Sequence, residues 1–489
     1  MTMTRSLLYL IFVMSLTTSL CFTKPRSSGR SSSAALEPSL DRLFRTSSRL
    51  VGTSVKIIAA EDGNVLYSRN SGIPMTPAST MKLITSATAL AKLGPNYKFR
   101  TSIAIEDSTV LLGRVVGNLY LRGGGDPYLT ADDLKQMVKY LRTTGIESVS
   151  GDIIADESFL DGLYDRKDWS DEYTSIKTPL MSGLSIEENS IAVMVSAPLK
   201  AGQKIQVSTT PYLSSLRIEN NAVSVHTIYR VRPSIRIEWN DENPTLYITG
   251  KMRAGTGWRT FTVPVKRPAW YAGVILKAAL EEEGIRVEGT VRLGKTPKHV
   301  KELLANETPI TDIITVMNKR SDNFAAEMML KVLGAEIRGT PGSAAAGLSV
   351  IRQFLGELGI SQTDYEIHDG SGISHSDQIS SDILVAVLRT MYQRKNIFDY
   401  FYQSLATAGV DGTLRRRMLG TDAENNLHAK TGTLSGVTSM AGYVTSADGE
   451  ILVFSMISND FGRGRRRCKS IQDKIGIILA NYTRNKSTG

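Results

Sequence analysis

Three short motifs, Ser79-Thr80-Met81-Lys82, Ser321-Asp322-Asn323 and Lys430-Thr431-Gly432-Thr433, follow one another along the chain, and 238 residues separate the first from the second. No connecting loop needs that length, so if the motifs converge, at least one domain is inserted between them. The chain must then build one unit from its two ends and a second from its middle. With 489 residues, 41% of them hydrophobic, it has material for two or three cores.

The local pattern agrees with that division. Val51 to Ala60 and Gly63 to Arg69 read as a hairpin turning at Glu61-Asp62-Gly63. Pro77-Ala78-Ser79 then opens a helix with apolar positions Leu83, Ile84, Ala87, Leu90 and Ala91, closed by Gly94-Pro95. Helices are also expected at Ala131–Thr144, from Pro268 to Gly284, on both sides of Ser321-Asp322-Asn323, at Ser343–Leu358 and at Ser381–Arg394. From Ile191 to Val265 apolar and polar residues alternate between turn formers, a β-rich pattern. Strands return at Ala441–Thr445 and Ile451–Ile457, before a closing helix from about Ser470 to Thr483. The fold class expected is α+β, an antiparallel sheet flanked by helices with a small α/β insert and a nested β-rich one.

At the other end, Arg5 and the apolar run from Leu7 through Phe22 read as a secretory signal at 1–23, cut between Cys21 and Thr23. Lipidation at Cys21 is disfavoured by Leu20 before it, and the run is short for a bilayer. A Ser-, Arg- and Gly-rich leader follows at 24–35, and no later stretch is long enough to span a membrane. Without Cys21, Cys468 is the sole cysteine, so packing rather than a disulfide must hold the exported protein. A net charge of +10 on such a protein points to anionic envelope polymers rather than nucleic acid. The dense run from Arg463 to Lys469 reads as a solvated turn and helix start.

Ser79-x-x-Lys82 is the single Ser-x-x-Lys in the chain. At a helix start these two residues share a face, so the amine can reach the hydroxyl and act as its base once desolvated. The plainer alternative is a helix-capping serine beside a surface lysine. Ser321 would pass a proton between Lys82 and a leaving group while Asn323 holds a substrate amide and the lysine, although a capping turn explains the same residues. Lys430, with the Thr431 and Thr433 hydroxyls, suits a terminal carboxylate. Gly432 would let a substrate backbone approach a strand edge, and the Thr433 and Ser79 N–H groups could share an oxyanion. None of this needs a cofactor or metal, and the five histidines show no zinc-ligand spacing.

These motifs resemble the D-alanyl-D-alanine carboxypeptidase/endopeptidase family, the class C low-molecular-mass penicillin-binding proteins. The similarity extends to Gly124-Gly125-Asp126-Pro127, Gly151-Asp152, Asp156-Glu157-Ser158-Phe159, Asp369-Gly370-Ser371-Gly372 and Ala408 to Leu414. It implies a transpeptidase/β-lactamase-like catalytic domain at 36–99 and 305–489, an α/β insert at 100–170 and 263–304, and a nested β-rich domain at 171–262. It further implies a serine DD-peptidase of the periplasm or other extracytoplasmic space. Such an enzyme trims terminal D-Ala from peptidoglycan stem peptides, cuts D-Ala-to-diamino-acid cross-links and is acylated by β-lactams. By the same resemblance Ser79 is the nucleophile, Lys82 its base, Ser321, Asn323 and Lys430 complete the catalytic set, and Thr431, Gly432 and Thr433 bind substrate. Asp156 would face the diamino-acid ammonium, and the interval from Ser79 to Asp156 is short for the family. A β-lactamase or esterase on the same fold, or a non-catalytic wall-binding protein, are the competing readings; no base for deacylating water is evident near the motifs.

Overall fold

A computed structural model describes residues 36–45, 52–106, 110–165, 179–212, 216–226, 234–240, 245–459 and 464–484. The expected signal, leader and seam at 170–171 lie outside them.

The two ends of the chain meet in one six-stranded antiparallel sheet. Its order is Val65–Arg69, Thr53–Ala59, Ile451–Asn459, Val437–Thr445, His428–Leu434, Ala406–Thr407. Both faces are covered, so these strands carry near-continuous apolar runs rather than a clean alternation. Ile58, Ala441, Tyr443, Val453 and Ile457 pack against the helices Met81–Leu93, Ile310–Arg320, Asn323–Arg338, Ala344–Glu357, Ser381–Gln393 and Lys395–Ser404. Their neighbours Ile57, Met440, Val444, Leu452, Phe454 and Met456 point the other way, onto Leu36–Arg45 and Arg465–Ala480.

The Met81–Leu93 helix runs through the middle of the first layer, and every residue from Met81 to Leu90 is buried. Its small and apolar side chains suit that position, and the buried hydroxyls of Thr85, Ser86 and Thr88 each donate to a backbone carbonyl. The closing helix starts at Arg465, five residues before the expected Ser470. Arg465, Arg466 and Arg467 form its exposed first turn, and Cys468 turns inward as a buried free thiol.

The middle of the chain leaves and returns through one antiparallel ribbon, paired from Lys98↔Pro309 to Glu106↔Val300. The domain seams we propose near 99 and 305 fall inside that ribbon. Beyond it, Leu119–Arg122 pairs antiparallel with Lys98–Glu106, and Ile153–Asp156 and Val291–Leu293 add in parallel to make a five-stranded sheet. Helices Ala131–Thr143 and Pro268–Glu282 pack on it. Short strands between Ser190 and Pro264 form the β-rich part. Its buried residues, Ile191, Val193, Val195, Leu246 and Ile248 among them, are continuous with those of the α/β part. The insert is tied back to the catalytic helices by Lys331, 1% exposed, whose Nζ donates to Asp161 Oδ1 and Leu163 O, both at 2.6 Å.

Candidate active site

Ser79 sits in a tight helical turn, Ala78–Thr80, just before the buried helix. Ala78 holds φ at +49°, a left-handed conformation that costs a non-glycine residue about 1 kcal/mol or more. Neighbouring groups hold the turn in place: Thr80 Oγ1 and Ser439 Oγ donate to Pro77 O at 2.7 and 2.6 Å. One turn on, Lys82 is fully buried, and its Nζ donates to Ser79 Oγ at 3.1 Å, Asn323 Oδ1 at 2.7 Å and the Ser371 carbonyl at 2.6 Å. All three ammonium protons have an acceptor, and one of those acceptors is the half-buried serine.

The second motif is the joint between two helices. Ser321 ends Ile310–Arg320 in a left-handed conformation, φ +62°, and Asp322 caps the next helix by accepting from Ala325 N–H at 3.1 Å. The sharp turn directs Asn323 to Lys82 and Ser321 to Lys430, whose Nζ donates to Ser321 Oγ at 2.8 Å. Sequence reasoning expected Ser321 to serve Lys82; the hydrogen bond observed is to Lys430. Because that hydroxyl accepts from Lys430, its own proton is available to another acceptor.

Lys430, Thr431, Gly432 and Thr433 lie on the His428–Leu434 strand. The short outer strand pairs only with His428 and Ala429, so from Lys430 onward the strand is a free edge among the described residues. Lys430 and Gly432 are buried while Thr431 and Thr433 are partly exposed. A Cβ on Gly432 would stand 2.9 Å from Ser79 N and collide with Ser439 Oγ. Only glycine lets this strand run so close to the nucleophile's backbone. Thr431 Oγ1 donates to Thr413 Oγ1 at 2.7 Å, which brings the 408–414 segment into the site.

Burial pulls the Lys82 amine down to about 8, against the opposing pull of Asp369, Glu327, Asp322 and Asp377. Lys430 is pushed well below the usual lysine range by burial and by the charge on Lys82. A lysine depressed to about 8 is neutral above that pH and protonated below it. The rate of serine acylation should therefore rise about tenfold per pH unit up to about pH 8 and level off above it, read as kcat/KM across a pH series.

The structure shows what holds Asp156 in place. It ends its strand 2% exposed, with Oδ1 accepting from Ser158 N–H at 2.9 Å and Oδ2 from Thr296 N–H at 2.7 Å. Burial raises its pKa, but these hydrogen bonds outweigh it and hold the carboxyl below its usual range. The carboxylate ties two loops to a strand end. Residues that sequence reasoning missed are Glu327, Thr85 and Asp377, which surround the Asp369–Gly372 loop. Asn323 and Glu327 stand four apart on one helix, a spacing that could have signalled them.

Comparisons with known proteins agree with this geometry. The model of the D-Ala-D-Ala carboxypeptidase 3 (S13) family matches residues 36–482. A D-alanyl-D-alanine carboxypeptidase of Actinomadura sp. R39 is 33% identical over 451 residues, 88% of this chain and 81% of that protein. The D-alanyl-D-alanine carboxypeptidase DacB of Haemophilus influenzae is 25% identical, covering 86% and 88%. The crystal structure of penicillin-binding protein 4 from H. influenzae superposes with a TM-score of 0.77 at 23% identity, over 91% of this chain and 99% of that one. A penicillin G-acylated predatory endopeptidase from Bdellovibrio bacteriovorus shares the fold at a TM-score of 0.51 and 16% identity, over 89% and 94%. Extent of match and arrangement of motifs lead to one assignment: the chain belongs to the D-Ala-D-Ala carboxypeptidase 3 (S13) family.

Proposed function

We propose that Ser79 is the acyl-enzyme nucleophile of a DD-peptidase that removes terminal D-Ala from peptidoglycan stem peptides and cleaves D-Ala-to-diamino-acid cross-links. The observation that carries this reading is the buried Lys82 amine 3.1 Å from Ser79 Oγ, depressed to about 8 and so able to accept the serine proton. A peptide would lie along the free edge with its carboxylate at Lys430, Thr431 and Thr433. That carboxylate supplies the counter-charge which Lys430 otherwise lacks.

With the scissile carbonyl oxygen between the N–H groups of Ser79 and Thr433, Lys82 takes the hydroxyl proton as Oγ adds to the carbonyl carbon. The tetrahedral adduct collapses, the C–N bond breaks, and the departing D-Ala amine takes a proton through Ser321, which Lys430 replenishes. Water then adds to the ester carbonyl, giving a proton back through Ser321 to Lys430. Lys82 returns its proton to Ser79 Oγ as the C–O bond breaks, so the serine and both lysines are restored. A β-lactam amide opens by the same first step, but its amine stays tethered, so the ester persists. Among the described residues no helix is long and apolar enough to cross a membrane. We propose that the enzyme works in the periplasm or another extracytoplasmic compartment, where its substrate lies.

Ser79→Ala tests the assignment with a pentapeptide ending in D-Ala-D-Ala. Release of D-Ala should fall to background with unchanged thermal stability. Release at the wild-type rate would remove Ser79 from the mechanism.

A further inference from the structure

Lys82 has three acceptors, and one is a carbonyl on a segment outside all three motifs. Ser371 O receives the Lys82 amine at 2.6 Å and is as close to it as Asn323. The peptide bearing that carbonyl belongs to a buried loop wrapped around the Asp369 carboxylate, which accepts from the N–H groups of Ser371 at 3.1 Å, Gly372 at 2.5 Å and Ser374 at 2.8 Å. Self-wrapping fixes the loop's shape but not its position relative to Lys82.

Two ties to the flanking helices fix position. Thr85 Oγ1, on the nucleophile's own helix, donates to Gly370 O at 2.6 Å. From the other side Glu327 Oε1 accepts from Gly370 N–H at 2.9 Å. Glu327 is 1% exposed and lies one helical turn beyond Asn323. One helix face thus supplies one acceptor to Lys82 directly and positions the other. Behind the loop Asp377, fully buried, accepts from His368 N–H at 2.7 Å through Oδ1. Its Oδ2 lies beside Asp369 and is satisfied when Asp377 is protonated and donates to that carboxylate. Burial, with the negative charges of Asp369 and Glu327, pushes Asp377 well above the usual carboxylate range. A buried carboxylate is costly to keep unless its hydrogen bonds or charge are used.

We propose that Glu327 is a positioning residue for Lys82: through the Gly370 N–H it places the peptide whose Ser371 carbonyl, with Asn323 Oδ1, aims the Lys82 amine at Ser79 Oγ. The inference rests on the reading of Lys82 as the base. Titratable groups facing that amine are Asp322 and Glu327 from the Asn323 helix and its cap, Asp369 and Asp377 from the loop, and Lys430 from the edge strand. Glu327→Gln keeps an acceptor for Gly370 N–H and removes one negative charge, so it separates position from charge.

The test is the pH profile of acylation by a fluorescent penicillin for the wild type, Glu327→Gln and Glu327→Ala. In the Gln variant the acid limb should move down by about half to one pH unit while the plateau stays within about threefold. In the Ala variant the plateau should fall about tenfold or more, because the peptide holding Lys82 loses its tie. Rescue of the plateau by Gln over Ala supports positioning. If both variants match the wild-type limb and plateau, or if Ala lowers only the melting temperature, the inference is overturned while the base assignment stands. A wild-type profile with no acid limb would overturn the base assignment, and this inference with it.

Discussion

Replacing Lys82 by methionine should slow acylation of Ser79 by a penicillin by about 10³-fold, within the range a positioned general base contributes. Methionine keeps the unbranched length and removes only the amine. Among the described residues the amine is the one group hydrogen-bonded to Ser79 Oγ that can take its proton, since Asn323 Oδ1 and Ser371 O reach the serine only through it. The change leaves those two acceptors without their donor, at about 1–3 kcal/mol each, partly offset because a buried cation no longer has to be held. Rapid-quench labelling gives the rate, and a melting curve gives the structural part. If a stable variant lost less than tenfold, another group would have to be the base.

Gly432→Ala should cost about 10²-fold in kcat/KM on both a D-Ala-D-Ala peptide and a β-lactam, the loss expected when one oxyanion donor is displaced. The added methyl would collide with Ser439 Oγ and press on Ser79 N at 2.9 Å and Ala78 Cβ at 3.0 Å. Ser439 cannot simply rotate away, because its hydroxyl holds Pro77 O at 2.6 Å and with it the nucleophile turn. The strand edge must therefore shift from the nucleophile, and the overpacking adds about 1–3 kcal/mol of destabilisation. Steady-state kinetics beside a melting curve check this. A full-activity variant would mean that the Thr433 N–H does not share the oxyanion with Ser79.

Much of the site could be read before the structure because its chemistry is local. Ser79 and Lys82 are a helical turn apart, and Lys430 and Gly432 share a strand, so spacing alone predicts their company. The 238-residue gap announced the insert, and the ribbon from Lys98↔Pro309 to Glu106↔Val300 shows how the chain enters and leaves it.

What escaped was long-range. Glu327, Asp377 and Thr85 come from three separate segments, and apart from the four-residue spacing of Glu327 from Asn323 nothing in their neighbourhoods marks them as supports for Lys82. The left-handed turns at Ala78 and Ser321 are equally silent, because neither residue type favours them and only the tertiary packing holds them. Asp156 has an environment that its motif does not reveal. A motif match assigned it a substrate role, while two backbone N–H groups already occupy its buried carboxylate. The closing helix starts at Arg465 rather than near Ser470 because arginine is a good helix former, so the helix-start part of the basic run is longer than its turn.

The most direct test of the account is to map the penicillin adduct itself. Wild-type protein mixed with penicillin G, quenched over a time series and digested, should carry the penicilloyl mass on the peptide containing Ser79 alone, and the adduct should outlast many minutes of chase. An adduct on any other residue, or a Ser79 adduct that vanishes in seconds as hydrolysed drug accumulates, would contradict it.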